Sequence, residues 1–414
     1  MRSLGRKFAL VWTAATVSAL GDGLMTVGLP LLARQVTDKP LVIATVFAAG
    51  RVPWLFSIVI GAIVDRRDAR QVLVTMDLLR ALVLGALGIA LIVRDKLPSV
   101  SVICALAAFL ALCAIAFFAA IQRVVPSLVD NEALEDANGY LQSGVNTGEQ
   151  FIGPALGAYF AAGGKVPVIG DAISFAASGL VLSRLPAIPA VNMPEMRVRQ
   201  DVAIGWAWFR RSPTMRWLTA TSALFVGLQG SVIATEVVLV RDTLSLDGYW
   251  FGVFTALVAV GAISGGIVAS KVIAVLRSST ILVAISLSGL TYLVCIGSRS
   301  PLVVFTAIMV QNFTIGVNNV STVSVRQRAV PPELRGRVIS LARSFVWGLQ
   351  VPGALFGGWI AGRYGTDMVF EIAGAGMLCI SVLAARPLRS LLAPYQAPQR
   401  TSIQPVTAQP SPTR

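Results

Sequence analysis

The stretch Gly61–Gln71 reads GAIVDRRDARQ and stands between two long apolar runs. It sets two aspartates and three arginines where one run ends and the next begins. A weaker version recurs in the second half of the chain, with Gly265, Ile267 and Val268 repeating Gly61, Ile63 and Val64. Two further matches follow in the same order. QRVVP at Gln122–Pro126 returns as QRAVP at Gln327–Pro331, and Gln150, Gly153 and Gly157 return as Gln350, Gly353 and Gly357. The spacing changes in one connection, where the first half carries the acidic stretch DNEALEDAN (130–138). This is an internal duplication. Two halves of six helices, related by an axis along the membrane normal with a binding site between them, follow from it.

The solvent for such a chain is lipid. Hydrophobic residues make up 55% of 414 and charged residues only 13%. A bilayer core about 30 Å thick needs about 20 apolar residues per helix. Twelve such runs are legible, near residues 8–34, 41–63, 71–93, 98–122, 140–162, 166–184, 214–240, 248–271, 279–297, 301–325, 338–361 and 366–386. They are long and continuous rather than alternating, which predicts helices and not a barrel. The fold class expected is an all-α membrane protein of twelve transmembrane helices in two pseudo-symmetric bundles.

The net charge of +14 reflects topology. Of the 34 lysines and arginines, 23 fall in or beside the even-numbered connections and the two ends, and 8 in or beside the odd-numbered ones. By the positive-inside bias both termini are cytoplasmic, and no nucleic-acid partner is implied. Cys104, Cys113, Cys295 and Cys379 all lie in apolar runs without a CxxC pair, so they read as small buried hydrophobes. The chain has no histidine, which removes the commonest metal ligand and the usual neutral-pH proton carrier. No metal and no cofactor are expected, and any proton relay must use carboxylates. The first apolar run is too long for a signal-peptide core and is expected to be retained.

The organisation expected is a first bundle over 1–184, a linker over 185–213, a second bundle over 214–386 and a disordered tail over 387–414. The linker opens with Pro186, Pro189 and Pro194 and then reads VRQDVAIGWAWFRRSP. Val202, Trp206 and Phe209 share one helical face among Arg197, Arg199, Arg210 and Arg211. That suits a helix lying on an anionic leaflet, and equally a packed linker helix. The tail contains six prolines and no apolar period.

In SALGDGLMTVGLPLLA of the first run, GAIVDRRDARQVLVTMDLLRAL at the second and third, and PPELRGRVISLAR before the eleventh, the chain resembles the major facilitator superfamily. Within it the chain is most similar to the bacterial efflux group of enterobactin-exporter-like and macrolide-efflux-like proteins. The resemblance implies a gating latch at Gly61, Asp65, Arg66 and Arg70 that holds the outward-open state, supported by an Asp77–Arg80 pair at i,i+3 spacing. Asp68 and Ala69 depart from the usual Gly and Arg of that signature. Gly153, Pro154 and Gly157 resemble the antiporter signature of drug exporters, with Glu149 where a glycine is usual. Such residues permit close contact and bending of helices, though plain tight packing accounts for them as well. The arginine that many drug–proton antiporters carry in the middle of the fourth span is absent from LAAFLALCAIAFFAAIQR.

An ionisable group inside the bilayer costs at least about 2.5–3.5 kcal/mol on insertion scales, so it marks function by default. Asp22, Arg51 and Glu149 are placed at similar depth and are expected to face the centre as one proton-coupling cluster. Asp22 is the first choice of proton carrier because it resembles an aspartate of related exporters, and Glu149 is the second. A static pair of either with Arg51 is the alternative. Glu236 and Glu371 are assigned to the outer interface. Candidate substrate contacts are Gln122, Asn146, Phe151, Gln311, Asn312, Phe313, Asn318, Trp347 and Gln350, most of which suit interhelical hydrogen bonding or packing equally well. The function expected is secondary export of an amphipathic small molecule, a drug-like antibiotic or a siderophore, in exchange for protons. Uptake, uncoupled transport on the same fold and a non-transporting sensor or partner subunit are the alternatives. Partners expected are the bilayer of a bacterial inner membrane, the substrate and protons, with the protein a monomer. An enzyme is not expected: without histidine there is no nucleophile–His constellation, and the one Gly-Lys pair, Gly164-Lys165, lacks a phosphate-binding loop around it.

Overall fold

The computed structural model describes residues 5–94, 97–130, 133–161, 166–189, 198–331 and 334–396, and among these there are helices and no strands. In the first half α1 (Gly5–Val36) is followed by α2 (Pro40–Arg51), which runs through a 3₁₀ turn at Val52–Phe56 into α3 (Ser57–Asp65). Then come α4 (Ala69–Arg94), α5 (Val100–Val124), α6 (Leu134–Asn146), a π turn at Thr147–Ile152, α7 (Gly153–Ala161) and α8 (Val166–Leu182). After α9 (Val198–Arg211), the second half has α10 (Pro213–Ile233), α11 (Glu236–Val238), a π turn at Leu239–Thr243, α12 (Gly248–Leu276), α13 (Thr280–Cys295), α14 (Pro301–Ala329), α15 (Arg335–Gly348), α16 (Gln350–Tyr364) and α17 (Thr366–Gln396).

Eight helical stretches are long and apolar enough to cross a membrane, nine with the α2–α3 pair, which bends by 57°. One stretch, Gly248–Cys295, contains both α12 and α13. Together with the broken α6–α7 rod and the shorter α8, this is consistent with twelve crossings. The breaks have local causes. Pro53 cannot donate a backbone hydrogen bond, and the α2 rod tightens to a 3₁₀ turn around it. Pro154 leaves the Gln150 carbonyl without its usual donor, and the turn before it widens to π.

The helices form two bundles. In the first, α1 packs on α7 and α8, α4 on α8 and α5, and α2 on α5. In the second, α10 packs on α16 and α17, α12 on α14, and α13 on α14 and α17. The duplicated glycines mark close backbone contacts. A Cβ on Gly153 would lie 2.5 Å from the Leu20 carbonyl oxygen, and one on its repeat mate Gly353 would lie 2.0 Å from the Gly227 carbonyl oxygen. Each half thus presses the backbone of its fifth rod on that of its first. The outward faces are apolar: Leu82, Ile89, Ile267, Leu302 and Val382 are each at least 64% exposed. Exposure on that scale suits lipid.

One expectation is corrected. Residues 387–396 are not a tail, because α17 runs on to Gln396 and buries Leu388 and Leu392 in the same core as Ala384. That i,i+4,i+8 face outweighs Pro387; residues 397–414 lie outside the described residues. The linker helix α9 packs on α15 through a stack of Trp206, Phe209 and Phe345, with ring centroids 5.7–6.2 Å apart. Phe209 is buried with Met215, Val330, Val338 and Ala342. The side chains of Val202 and Arg199, and all of Arg197, lie outside the described residues.

Candidate functional site

The described ends of the chain, the start of α1 and the end of α17, mark one end of the bundle, called here the terminal end. The two bundles are joined differently at the two ends. At the far end one apolar core draws on both halves, combining Leu31, Leu32 and Ala33 of α1 with Val237, Val238, Leu239 and Val240 beyond α10 and with Ile360 and Ala361 of α16. Arg34 of α1 donates to Asp242 across this seam at 2.7 Å and also bonds Asp38. A Cβ on Gly358 of α16 would meet Ala44 and Leu41 of α2. At the terminal end the cores are separate: Phe8, Val72, Ala120 and Leu182 cluster within the first half, and the α9–α15 cluster lies within the linker and second half.

Between the halves lies a cavity of about 850 Å³, a volume suited to a drug-sized ligand. Met25, Leu29, Ile43, Phe47, Trp54, Leu110, Phe118, Phe251 and Val258 make its wall mostly apolar. Gln122, Asn138 and Gln142 carry it toward the terminal end on the first-half side, while its second-half lining stays at mid-depth and beyond. It is closed at the far end by the shared core.

Asp22, Arg51 and Glu149 all line this cavity. Within that group Asp22 is held by Arg80, and Arg51 is left to Glu149. The Arg80 side chain is 1% exposed, lies 3.3 Å from Asp22 and 2.5 Å from Asp77, and rests 4.0 Å above the Phe175 ring. Ser18 donates to Asp77. The Asp77–Arg80 spacing therefore does form a local pair, but one deep in the bundle at Asp22 rather than beside the charged loop. Asp171 of α8, absent from the sequence reading, completes the group: it is fully buried against Gly21, accepts from Ser174, and its Oδ2 has no partner. Its signal was the polar stripe Asp171, Ser174, Ser178 at i, i+3 and i+7 of one helix face. Arg51 lies 5.1 Å over Phe47 and 6.0 Å from the Trp347 ring of the other half. Its electrostatic partner across the cavity is Glu149, carried on the π turn.

The charged loop behaves as a first-half structure. Asp65 pairs with Arg123 at 3.9 Å, Arg123 donates to the Val64, Arg67 and Pro189 carbonyls, and Arg70 donates to the Ser183 carbonyl. Asp68 caps this corner by accepting from the Gln71 and Ile188 amides. Arg66 is exposed, and a Cβ on Gly61 would meet nothing within 4 Å. Gly153 and Gly157 contact α1, with Pro154 buried beside them.

Of the expected substrate contacts, Gln122, Gln311 and Asn312 line the cavity, and Trp347 reaches Arg51. Asn146 accepts from Gln142, which does line it. Phe151 lies on the π turn, and Phe313 packs its backbone on Gly265. Asn318 and Gln350 are buried between helices, each with an unpartnered side-chain oxygen. The reading missed Glu236 and Tyr292, which both line the cavity. Placing Glu236 at the outer interface is a correction: α10 stops at Ile233, and the break behind it draws Glu236 back to the cavity wall.

This arrangement, two bundles around a central apolar cavity with buried ion pairs, matches known proteins along its whole length. Residues 4–410 match the family described as transmembrane secretion effector. The chain belongs to that family. It is a major facilitator superfamily transporter and a multi-pass membrane protein, and so not an enzyme. Macrolide efflux protein A of Streptococcus pyogenes is 24% identical over 397 residues, covering 91% of this chain and 95% of that one. Among solved structures, the nucleoside transporter NupG superposes with a TM-score of 0.70 at 13% identity, covering 91% of this chain and 98% of the other. A bacterial homologue of the iron transporter ferroportin gives 0.67 in its inward-facing state, at 17% identity over 95% and 99% of the two chains. Its outward-facing state gives 0.60 at 18% identity, over 94% and 99%.

Proposed function

We propose that this transporter is a secondary exporter of amphipathic small molecules that works by alternating access and exchanges its cargo for protons. The observation that carries the reading is the cavity itself, apolar over most of its wall and continuous with the terminal end, where the two halves have separate cores. With the positive-inside bias placing the termini in the cytoplasm of a bacterial inner membrane, cargo enters from the cytosol. The greater likeness to an inward-facing than to an outward-facing structure accords with this, as does kinship with a macrolide efflux protein.

Proton exchange rests on the acids of the first half. Asp22 meets both the cavity and Arg80, so a proton arriving there releases one arm of a buried arginine. Glu149 stands on a π turn packed against α1, which links its charge to the contact between two rods. Access then alternates when the far-end seam parts and the terminal ends meet. The loop from Asp65 to Arg70, bonded here within its own half, is then available to engage the second half. The test is accumulation of labelled macrolides and other amphipathic antibiotics in cells with and without the protein, repeated with a protonophore. Lower accumulation that the protonophore abolishes is expected. Higher accumulation overturns export, and protonophore-insensitive efflux overturns proton exchange.

A further inference from the structure

The carboxylates of the cavity are not equivalent. Asp22 faces Arg80 and Glu149 faces Arg51, so both first-half acids have a guanidinium to answer them. Glu236, on the second-half wall, has none: it lines the cavity and forms no ion pair among the described residues. It sits at the first residue of α11, behind Thr235, whose hydroxyl is tied back to the Ser231 and Val232 carbonyls. The second-half lining of the same cavity also presents the rings of Phe251 and Tyr292 and the amides of Gln311 and Asn312. The Gln311 Nε2 is buried without a partner.

An acid in an apolar wall is costly as a lone anion, and the cost is relieved only by a proton or by a positive charge brought alongside. The protein brings none. We infer that Glu236 is a recognition site for the positive charge of a lipophilic cation, such as a protonated tertiary amine or a quaternary centre on an apolar body. Its apolar body lies against the cavity wall and its charge against this carboxylate. Aromatic rings in the same wall suit a cation further. Arg51 and Arg80 do not oppose such a ligand, since each is already matched by an acid. This deepens the exporter reading by naming a class of cargo, but binding itself does not depend on direction or on proton coupling.

The experiment measures binding to the purified full-length protein in detergent, using labelled tetraphenylphosphonium and, as an uncharged probe of similar bulk, triphenylphosphine oxide. The parent is expected to bind the cation more tightly than the neutral probe. E236Q is expected to lose at least tenfold affinity for the cation and to keep its affinity for the neutral probe, which also shows that its cavity is intact. E236D is expected to keep most of the cation affinity. Cation binding by E236Q within twofold of the parent overturns the inference, and so does a parent that fails to prefer the cation. A failed export assay alongside normal cation binding sinks the exporter reading and leaves this site standing.

Discussion

Replacing Arg80 by methionine tests the buried charge group most directly. The side chain is 1% exposed and contacts two carboxylates, Asp77 at 2.5 Å and Asp22 at 3.3 Å, with Asp171 buried nearby. Methionine fills similar space over Phe175 but supplies no charge. Removing one member of a buried ion pair costs about 3–5 kcal/mol, because the partner is left as an uncompensated buried charge. Arg80→Met is therefore expected to destabilise by about 3–5 kcal/mol. Adding Asp77→Asn removes the charge that methionine orphans, and is expected to restore at least half of that loss. The assay is denaturant unfolding in mixed micelles, read by tryptophan fluorescence and cast as a double-mutant cycle. A single variant within about 0.5 kcal/mol of the parent, the range of an ordinary surface change, would refute the reasoning, as would a double variant no more stable than the single.

Gly153→Leu is expected to prevent accumulation of folded protein, because a Cβ there would lie 2.5 Å from the Leu20 carbonyl oxygen. Gly61→Ala, where a Cβ meets nothing within 4 Å, is expected to be neutral or to stabilise by about 0.5–1 kcal/mol; fluorescence-detected size-exclusion of heated samples compares the two. Cysteines replacing Arg34 and Asp242, joined by a bifunctional thiol reagent long enough to span the lost arginine, are expected to stop transport; full activity of the cross-linked protein would show that the far-end seam need not part. Asp22→Asn and Glu149→Gln are each expected to flatten the pH dependence of export in everted vesicles, and normal pH profiles in both would remove protons from the mechanism.

Much of the architecture was legible because lipid imposes a coarse and strong pattern, long apolar runs with charges at the turns. The duplicated Gly153/Gly157 and Gly353/Gly357 also kept their meaning, each pair marking where two backbones touch. Side-chain partnership inside the bundle was harder to read. Similar depth places Asp22, Arg51 and Glu149 together, yet depth says nothing about which face of a rod a residue occupies, and the face of α4 carries Arg80 to Asp22. Asp171 was passed over as one acid among small residues, although its serine stripe marks a buried polar face. Glu236 was placed by counting along an unbroken run, and the break after Ile233 defeats such counting. The end of α17 was lost to a proline rule that its leucines override.

The apolar core shared by both halves at the far end gives the empty protein a resting bias. Parting Leu31 and Leu32 from Val237–Val240 and Ile360 would wet side chains whose burial stabilises by about 1.5–3 kcal/mol each. The terminal mouth presents no comparable apolar joint among the described residues, so the unloaded molecule waits with that mouth ajar. On the exporter reading proposed above, cargo and protons must together outweigh that difference before the opposite door yields.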